Sequence, residues 1–215
     1  MSADDLAARR EDYSSTGFDR ADVADDPFEQ FQRWYGEWLA VEPYDANAMA
    51  VATADAHGRP SVRFVLLKGV DHGFVFFTNA TSHKGRDIAV NPQASLCFGW
   101  IGVQRQVRVT GVVEPVVDEE VDAYFASRPR GSQLGAWASN QSRPTPDRAA
   151  LEQRWSDAER RFAGRDVPRP PDWGGYRVIP DEIEFWQGRS SRLHDRIVYR
   201  RPAPDAPWEI LRLMP

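Results

Sequence analysis

The chain has 215 residues, enough for one good hydrophobic core, and carries a formal net charge of -5. This negative balance argues against nucleic acid or an anionic membrane surface as a partner. The single cysteine, Cys97, cannot form a disulfide within the chain, the start lacks the apolar core of a secretory signal, and no stretch approaches the ~20 apolar residues of a membrane span. We therefore expect a cytoplasmic protein.

The first part of the chain changes from a polar segment to an amphipathic helix. Residues 1 to 24 are polar, and we expect a mobile segment there and a single domain over 25 to 215. Asp26 and Pro27 predict a helix start, because Asp caps helices and Pro suits the first helical position. Aromatic residues then recur at helical spacing from Phe28 to Trp38, which predicts that this helix buries one stripe in the core.

From Ala48 the pattern predicts short strands joined by turns. The strand S-V-R-F-V-L-L-K, residues 61–68, is apolar except for Arg63 and Lys68. Their separation is odd, so a regular strand would place them on opposite faces. The two cations then need separate anionic partners, or a bulge between them.

A short helix is predicted over H-K-G-R-D-I-A-V, residues 83–90, with Thr81 or Ser82 as its cap. Lys84 lies in its first turn, where the helix dipole disfavours a cation. Free N–H groups, His83 and Lys84 together could bind a phosphate. A lysine on the surface of a short helix explains this element equally well.

A second cluster of donors follows the helix that we expect Asp118 to cap. Arg128, Arg130 and Ser132 surround Pro129-Gly131, where another short helix begins. Two guanidinium groups, a hydroxyl and fresh helix N–H groups suit a phosphate, and several donor types converge here. This cluster therefore predicts an anion site more strongly than Lys84 does. Farther on, Thr145-Pro146 is expected to open a longer helix.

Four strand-like segments finish the chain: Y-R-V-I, E-I-E-F-W-Q, R-I-V-Y-R and W-E-I-L-R-L. Between the second and the third lies a polar loop that begins at Gly188. Arg192, His194 and Arg196 alternate there, so an extended segment would point all three to one face, towards something anionic or electron-rich. A solvated, charged hairpin end is the alternative interpretation.

These elements together indicate an α+β protein, mainly antiparallel β, with a barrel-like sheet and peripheral helices. The chain contains no G-x-G-x-x-G, P-loop, H-E-x-x-H or C-x-x-C pattern. The common nucleotide and zinc sites are therefore not indicated, and we expect no bound metal.

Four segments resemble the signature segments of the pyridoxamine 5'-phosphate oxidase family: R-F-V-L-L-K (63–68), S-R-P-R-G-S-Q-L-G-A-W-A-S-N-Q-S (127–142), W-G-G-Y-R-V (173–178) and E-F-W-Q-G-R-S-S-R-L-H-D-R (184–196). They occur in the family's order. The resemblance implies an FMN-binding split β-barrel that works as a homodimer with two FMN sites at the interface.

The resemblance also implies roles for individual residues. Its FMN-binding positions are Arg63, Val65, Leu66, Lys68, Phe77, Thr78, His83, Lys84, Gln106, Gln141, Ser142, Trp186 and Arg196. Its substrate-binding positions are Lys68, Tyr124, Arg128, Ser132, Arg192, Leu193 and His194, with Arg10 and Tyr13 in an N-terminal lid. Arg192 and His194 are the catalytic positions, which hold the pyridine ring against the flavin. Two positions depart from the family pattern, because His83 stands where arginine is common and Phe77 where tyrosine is common.

The implied reaction oxidises pyridoxine or pyridoxamine 5'-phosphate to pyridoxal 5'-phosphate by hydride transfer from C4' to flavin N5. Oxygen reoxidises the flavin and gives hydrogen peroxide, and the amine substrate also releases ammonia. Two alternatives are a related FMN-dependent oxidase of the phenazine-biosynthesis type and a split-barrel protein that binds flavin, deazaflavin or haem without turnover. Lys68, the 127–132 segment and the complete Arg192/His194 loop favour the phosphorylated pyridine substrate.

Overall fold

The structure, a computed structural model, describes Tyr13 and residues 16–215. Arg10 lies outside the described residues, and the expected mobility of the N-terminal segment stays a prediction. Contacts divide the chain into two compact units. The first has Met1–Met49, Leu96–Thr110 and Pro180–Pro215, and the second has Ala50–Ser95 and Gly111–Ile179. Among the described residues, no helix is both long and apolar enough to cross a membrane.

The described residues form an antiparallel sheet with short peripheral helices, which confirms the predicted α+β class. The helices are α1 (Pro27–Leu39), α2 (His83–Val90), α3 (Asp118–Ser127), α4 (Arg130–Ala138) and α5 (Arg148–Arg161). The strands are β1 (Ala48–Ala54), β2 (Pro60–Leu66), β3 (Gly69–Val70), β4 (Phe74–Asn79), β5 (Gln93–Trp100), β6 (Arg105–Pro115), β7 (Trp173–Gln187), β8 (Asp195–Arg200) and β9 (Glu209–Arg212).

Hydrogen-bonded strands follow the order β2-β1-β5-β6-β7-β4-β3, with β8 paired to β7 and β9 to β8. Two of the predicted terminal strands are one strand, β7. Residues Trp173–Val178 pair antiparallel with β4, and residues Glu182–Gln187 pair antiparallel with β8. Pro180, which has no N–H to donate, falls between the two pairings, so the strand continues through it.

The core of the first unit is aromatic, as the helical spacing of α1 predicts. The Asp26 carboxylate accepts a 2.7 Å hydrogen bond from the Phe28 N–H, and Pro27 is the first helical residue. Phe31 and Trp34 are 1% and 2% exposed. Phe31 packs edge-on against Phe98, with ring centroids 5.0 Å apart.

In the second unit, α2 is fixed close to the end of β4. The Ser82 hydroxyl accepts from the Gly85 N–H at 3.3 Å, so Ser82 is the cap. A Cβ on Gly85 would lie 2.1 Å from the Ala80 carbonyl oxygen. Only glycine permits this approach, which sets where the first turn of α2, with Lys84, sits.

Two predicted helix starts are wrong by a few residues. Asp118 is the first residue of α3 and Val117 precedes it without a side-chain cap, because the Asp118 carboxylate accepts from Arg169 instead, at 2.8 Å. Helix α5 begins after Asp147, whose carboxylate accepts from the Ala150 N–H at 2.7 Å. A well-placed carboxylate is a stronger N-cap than the Thr145-Pro146 pair.

Candidate functional site

A cavity of about 870 Å³ opens in the second unit. This volume lies within the range that small-molecule sites of proteins occupy. Its walls come from β2, β4, α2, α3 and α4 and from the segment that follows α4. Every predicted site residue of the second unit lines it: Arg63, Val65, Leu66, Lys68, Phe77, Thr78, His83, Lys84, Tyr124, Arg128, Ser132, Gln141 and Ser142. The sequence had distributed these residues over five separate segments.

Lys84 is a buried cation, so the interpretation of it as a surface lysine is wrong. Its side chain turns back beneath α2, and the residue is 6% exposed. The ammonium donates to Thr78 Oγ1 at 2.9 Å, to Ser82 Oγ at 3.4 Å and to Gln141 Oε1 at 3.5 Å. Burial, with a smaller contribution from the Arg63 charge, lowers the pKa of Lys84 to about 8.

No carboxylate in the described part of the chain forms an ion pair with Lys84. Its partners are neutral oxygens, which satisfy its donors but leave its charge uncompensated. A buried, uncompensated cation that lines a cavity favours an anion in that cavity. The predicted anion site near Lys84 therefore has the electrostatics that a phosphate requires.

Arg63 lines the same cavity from β2 and is also partly buried. Its guanidinium donates to Thr53 Oγ1 at 2.8 Å and to Ser61 Oγ at 2.5 Å. Burial lowers the pKa of Arg63, and the nearby Asp87 charge opposes that shift. We refer to Arg63, Thr78 and Lys84 as the buried cluster.

Arg63 and Lys68 do not face different environments, as a regular strand would require. Strand β2 ends at Leu66, two residues before Lys68, so the alternation of faces does not extend to Lys68. Both side chains line the one cavity. The chain reaches this arrangement by leaving the strand rather than through a bulge within it.

A second set of donors, Lys68, Tyr124, Arg128 and Ser132, lines the cavity among aromatic rings. The Arg128 guanidinium lies 4.8 Å from the ring centroid of Trp173, and Lys68 Nζ lies 5.9 Å from that of Tyr124. Arg128 Nη1 is buried and has no hydrogen-bond partner in the described part of the protein. Burial lowers the pKa of Arg128, with a small opposing effect of Tyr124. We call this set the aromatic cluster.

The aromatic rings of this region form a parallel stack. Phe77 lies 4.1 Å from Tyr124 and 5.5 Å from Trp173 between ring centroids, with interplanar angles of 17° and 3°. Close, nearly parallel rings restrict each other's rotamers. Phe77, one of the two departures from the family pattern, has no hydroxyl and contacts Tyr124 through ring stacking alone.

Arg130 does not belong to the predicted cluster of donors around Pro129. Its guanidinium donates to the carbonyl oxygens of Phe162 at 2.6 Å and Arg165 at 2.9 Å. Phe162 is the C-terminal cap of α5, and Arg165 follows it in the next turn of the chain. Arg130 therefore stabilises the α4–α5 pair, while its neighbours Arg128 and Ser132 line the cavity.

The other predicted residues belong to the first unit: Tyr13, Gln106, Trp186, Arg192, Leu193, His194 and Arg196. Trp186 and His194 are in contact, with ring centroids 4.6 Å apart. Tyr13 packs edge-on against both, at 5.9 Å and 5.6 Å. Gln106 is half-buried on β6. The β7–β8 hairpin thus brings residues from the start and the end of the chain together.

The loop between β7 and β8 is not extended, so the expectation that Arg192, His194 and Arg196 alternate on one face is wrong. Ser190–Arg192 form a single 3-10 turn, in which Ser191 and Arg192 have φ values of 54° and 60°. Left-handed backbone in non-glycine residues is uncommon and concentrates at functional sites. Arg192, the last residue of this turn, and Leu193, which follows it, are both exposed.

His194 and Arg196 are held by specific partners. His194 Nδ1 accepts the Arg189 N–H at 3.0 Å, so a neutral imidazole carries its proton on Nε2. Arg196 donates to both oxygens of the buried Glu184 carboxylate, at 2.8 Å and 2.9 Å. Arg108 donates to the same carboxylate. Glu184 therefore fixes the direction of the Arg196 guanidinium.

Four residues of the second unit escaped the sequence reasoning: Thr53, Ser61, Asp87 and Trp173. Ser61 lies two residues before Arg63 on β2, and Asp87 lies three residues after Lys84 on α2. Each spacing puts a side chain on the same face as a predicted site residue. The spacing was visible in the sequence, but hydroxyls and carboxylates at such positions are too common to stand out.

The donors of the cavity fit the FMN that the resemblance implies. The buried cluster supplies two cations, of which Lys84 has no ion-pair partner among the described residues, and the Thr78 hydroxyl, and such donors suit the phosphate. Lys68, Arg128 and Ser132 line the same cavity and are candidate donors for a second anionic group.

Comparisons with known families agree with this geometry. The family model of pyridoxamine 5'-phosphate oxidase matches residues 35–162, and that of the pyridoxine 5'-phosphate oxidase C-terminal dimerisation region matches residues 173–215. A pyridoxine/pyridoxamine 5'-phosphate oxidase of Ralstonia pickettii is 56% identical over 98% of this chain and 99% of its own. One of Burkholderia orbicola is 57% identical with the same coverage.

Two solved structures share the fold. PhzG from Burkholderia lata, in complex with tetrahydrophenazine-1-carboxylic acid, superposes with a TM-score of 0.85, at 32% identity over 91% of this chain and 95% of that chain. A pyridoxamine 5'-phosphate oxidase-related, FMN binding protein from Nostoc punctiforme superposes with a TM-score of 0.70, at 16% identity over 90% and 100%. The predicted split-barrel fold is thereby confirmed.

Proposed function

The chain belongs to the pyridoxamine 5'-phosphate oxidase family, and on that premise we propose that it is an FMN-dependent oxidase of pyridoxine 5'-phosphate and pyridoxamine 5'-phosphate. The observation that carries this proposal is a single cavity with two differently held sets of donors. The buried cluster suits the phosphate of FMN, and the aromatic cluster suits the phosphate of the substrate. Cofactor and substrate each carry one phosphate, so the number of anion sites matches.

Within the proposed site, Lys84 and Arg63 bind the cofactor phosphate, assisted by Thr78, Gln141 and Ser142. Val65, Leu66 and Phe77 provide apolar walls for the remainder of the cofactor. Gln106, Trp186 and Arg196 are the residues of the first unit that we assign to the flavin ring. Their assignment rests on the match of positions to the family, and Glu184 supports it by fixing Arg196.

The substrate's phosphate is proposed to bind Lys68, Arg128 and Ser132, with Tyr124 beside them. Arg128 offers a buried N–H that no described protein group accepts. Burial without a partner is costly, and an incoming phosphate oxygen removes that cost. Substrate binding therefore satisfies a donor that the free protein leaves unsatisfied.

With FMN held by Arg63 and Lys84, the cofactor would supply the redox chemistry, namely uptake of the C4' hydride and return of the two electrons to oxygen as hydrogen peroxide. The chain's own contribution is position and charge. We assign Arg192, Leu193 and His194 to the pyridine ring of the substrate. The Nε2–H of neutral His194 can donate a hydrogen bond that orients the substrate, and the permanent charge of Arg192 stabilises a substrate oxygen that has lost its proton, the proton that must leave together with the C4' hydride. Tyr13 packs on His194 and suits a lid over the same region.

A homodimer is part of the proposal. The C-terminal residues match a family model described as a dimerisation region. On β2, Val62 and Phe64 lie at the cavity and are 69% and 79% exposed. Apolar side chains this exposed next to a ligand cavity favour contact with a second subunit. The cytoplasmic location stays a prediction.

A related oxidase of a phenazine-type substrate is the second candidate, because the PhzG structure covers nearly the whole chain. Its identity of 32% is well below the 56% of the Ralstonia pickettii oxidase. The phosphate-binding donors Lys68, Arg128 and Ser132 favour the first candidate, since the carboxylic acid named with PhzG carries no phosphate.

The proposal is tested with the purified full-length protein. We expect a yellow preparation that releases FMN on denaturation and forms hydrogen peroxide when pyridoxine 5'-phosphate or pyridoxamine 5'-phosphate is added in air. Unphosphorylated pyridoxine is the control and should react far more slowly. A colourless protein, or a yellow one inert to both phosphorylated substrates, would remove this function.

The Arg192→Ala variant tests the assignment of the catalytic loop. Loss of a positioned charge at the reacting ring should lower kcat by about 10²–10⁴-fold, and the bound FMN should stay in place. Absorbance of the flavin per mole of protein and single-turnover flavin reduction measure the two effects. Loss of colour in this variant would show that Arg192 serves the cofactor instead.

A further inference from the structure

Asp87, on α2, is a buried carboxylate that neither the family resemblance nor the sequence assigns to the site. The residue is 3% exposed. Its Oδ2 accepts hydrogen bonds from Thr53 Oγ1 at 2.6 Å and from Ser61 Oγ at 2.9 Å. A carboxylate in such a position usually serves a cation, because an isolated buried charge is costly.

The cation that Asp87 serves is Arg63, through the two hydroxyls. Arg63 donates to Thr53 Oγ1 and to Ser61 Oγ, and both hydroxyls donate onward to the same carboxylate oxygen of Asp87. The direct distance from Arg63 Nη2 to Asp87 Oδ2 is 4.0 Å. Each hydroxyl thus accepts from the guanidinium and donates to the carboxylate, which fixes the guanidinium at two points.

A second basic side chain beside the cavity also faces Asp87. His83 stands one helical turn earlier on α2, and its Nε2 lies 3.6 Å from Asp87 Oδ1. The two carboxylate oxygens therefore serve different groups, Oδ2 the hydroxyls and Oδ1 the imidazole. Burial alone would raise the pKa of Asp87, but the hydrogen bonds from Thr53 and Ser61, helped by the charges of His83 and Arg63, hold it below its ordinary value.

We propose that Asp87 is a positioning residue for the cofactor phosphate, which aims Arg63 through the Thr53 and Ser61 hydroxyls and pairs with His83. This inference rests on the proposed function, in which the phosphate of FMN binds at the buried cluster. Asp87 itself does not touch the phosphate, because its oxygens are occupied by the hydroxyls and faced by the imidazole. Its effect is to hold the Arg63 guanidinium and the His83 imidazole at fixed places without neutralising Arg63 through a direct short ion pair.

The test separates the phosphate from the rest of the cofactor. The full-length chain is loaded with FMN or with riboflavin, which lacks the phosphate, and flavin release on serial dilution is followed by fluorescence. In Asp87→Asn we expect the Kd for FMN to rise about tenfold, because a neutral amide oxygen accepts more weakly from the two hydroxyls than a carboxylate oxygen does and offers Arg63 no opposite charge. The Kd for riboflavin should stay unchanged.

Arg63→Ala measures how much FMN affinity is lost when the guanidinium is absent, and it completes a double-mutant cycle with Asp87→Asn. Its Kd for FMN should rise at least as much, and Asp87→Asn in that background should add little, since its target is gone. Ser61→Ala removes one of the two linking hydroxyls without disturbing a buried charge. It should raise the Kd for FMN about threefold with riboflavin unchanged, which keeps the test available if Asp87→Asn does not fold.

Three results would overturn the inference. If Arg63→Ala weakens FMN but Asp87→Asn and Ser61→Ala do not, Asp87 has no positioning role and the proposed function stands. If Asp87→Asn weakens FMN and riboflavin equally, its role is structural. If Arg63→Ala and Lys84→Met both leave the FMN Kd unchanged, the phosphate binds elsewhere, and the assignment of the buried cluster fails together with that of Asp87.

Discussion

The two donor clusters of the second unit differ in what holds their cations. In the buried cluster, Arg63 and Lys84 donate to protein hydroxyls and an amide, and Asp87 accepts from the two hydroxyls that bind Arg63. In the aromatic cluster, Lys68 and Arg128 lie against ring faces, and neither has an ion-pair partner among the described residues. The hydrogen bonds that hold the buried cluster exist before an anion binds, whereas among the described residues the cations of the aromatic cluster contact only ring faces until an anion binds.

This difference matches the two kinds of ligand that the site is proposed to hold. A preorganised site loses little conformational entropy on binding, so it suits a cofactor that stays bound through many turnovers. Cations that rest on aromatic faces gain hydrogen bonds only when a ligand is present, so they suit a substrate that enters and leaves. The arrangement of partners, rather than the number of cations, distinguishes the clusters.

The largest effect should come from Arg128→Ala. It removes the guanidinium whose Nη1 has no acceptor in the protein, and a charged hydrogen bond to a phosphate is worth about 1.5–3 kcal/mol. We expect kcat/KM for pyridoxine 5'-phosphate to fall about 10²-fold, mostly through KM, with FMN content unchanged.

Arg130→Ala is the matched control for that experiment, because its guanidinium donates to carbonyls at the end of α5 and does not line the cavity. It should lower the melting temperature and leave KM nearly unchanged. Equal losses of kcat/KM in the two variants would contradict the assignment of the aromatic cluster.

The next effect concerns the pH dependence of the buried cluster. The pKa of Lys84 is lowered from 10.5 to about 8 by burial and the Arg63 charge. Above pH 8 the free protein has a neutral Lys84, which must take up a proton to pair with a phosphate. The FMN affinity should therefore fall by up to about tenfold per pH unit above pH 8.

The stability of the protein without FMN should move in the opposite direction. Between pH 8 and 10.5 the unfolded chain binds more protons at Lys84 than the folded one, so the free energy of unfolding gains a contribution that rises with pH. Lys84→Arg, which stays charged, should abolish this part of both pH dependences. Titration of FMN release and denaturation from pH 7 to 10 measures them, and an unchanged slope in Lys84→Arg would exclude Lys84 as the cause.

The smallest effect should come from Ser132→Ala in the aromatic cluster. Ser132 is exposed at the cavity wall and offers one neutral hydroxyl. A neutral hydrogen bond contributes about 0.5–1.5 kcal/mol, so KM for the phosphorylated substrate should rise about two- to tenfold. Steady-state kinetics with FMN in excess measures this change. A loss as large as that of Arg128→Ala would mean that the hydroxyl, rather than the guanidinium, dominates substrate binding.

Several helices, strands and donor-rich segments could be predicted from the sequence, because each depends on residues that are close together along the chain. The helical spacing of aromatics placed α1, strand alternation indicated an antiparallel sheet, and the donor-rich segments near Lys84 and Arg128 were predicted as candidate anion sites. Two helix caps were not predicted correctly. The Asp118 carboxylate accepts from Arg169 instead of capping α3, and Asp147 caps α5 in place of the nearby Thr145. Helix starts depend on which partner a carboxylate reaches, and that is decided by packing.

Only the tertiary structure decided which side chain of a cluster serves the cavity and which serves the scaffold. Arg128 and Arg130 are two residues apart and chemically identical, yet one lines the cavity and the other donates to carbonyls at the end of α5. Lys84 looks exposed in the sequence and is buried, because Gly85 allows α2 to approach Ala80. These differences arise from contacts between residues far apart in the chain, as in the hydrogen bonds that link Arg63 to Asp87 through two hydroxyls. The sequence supplied the donors, and the fold determined their partners, because burial assigns each polar group a neighbour that local spacing does not encode.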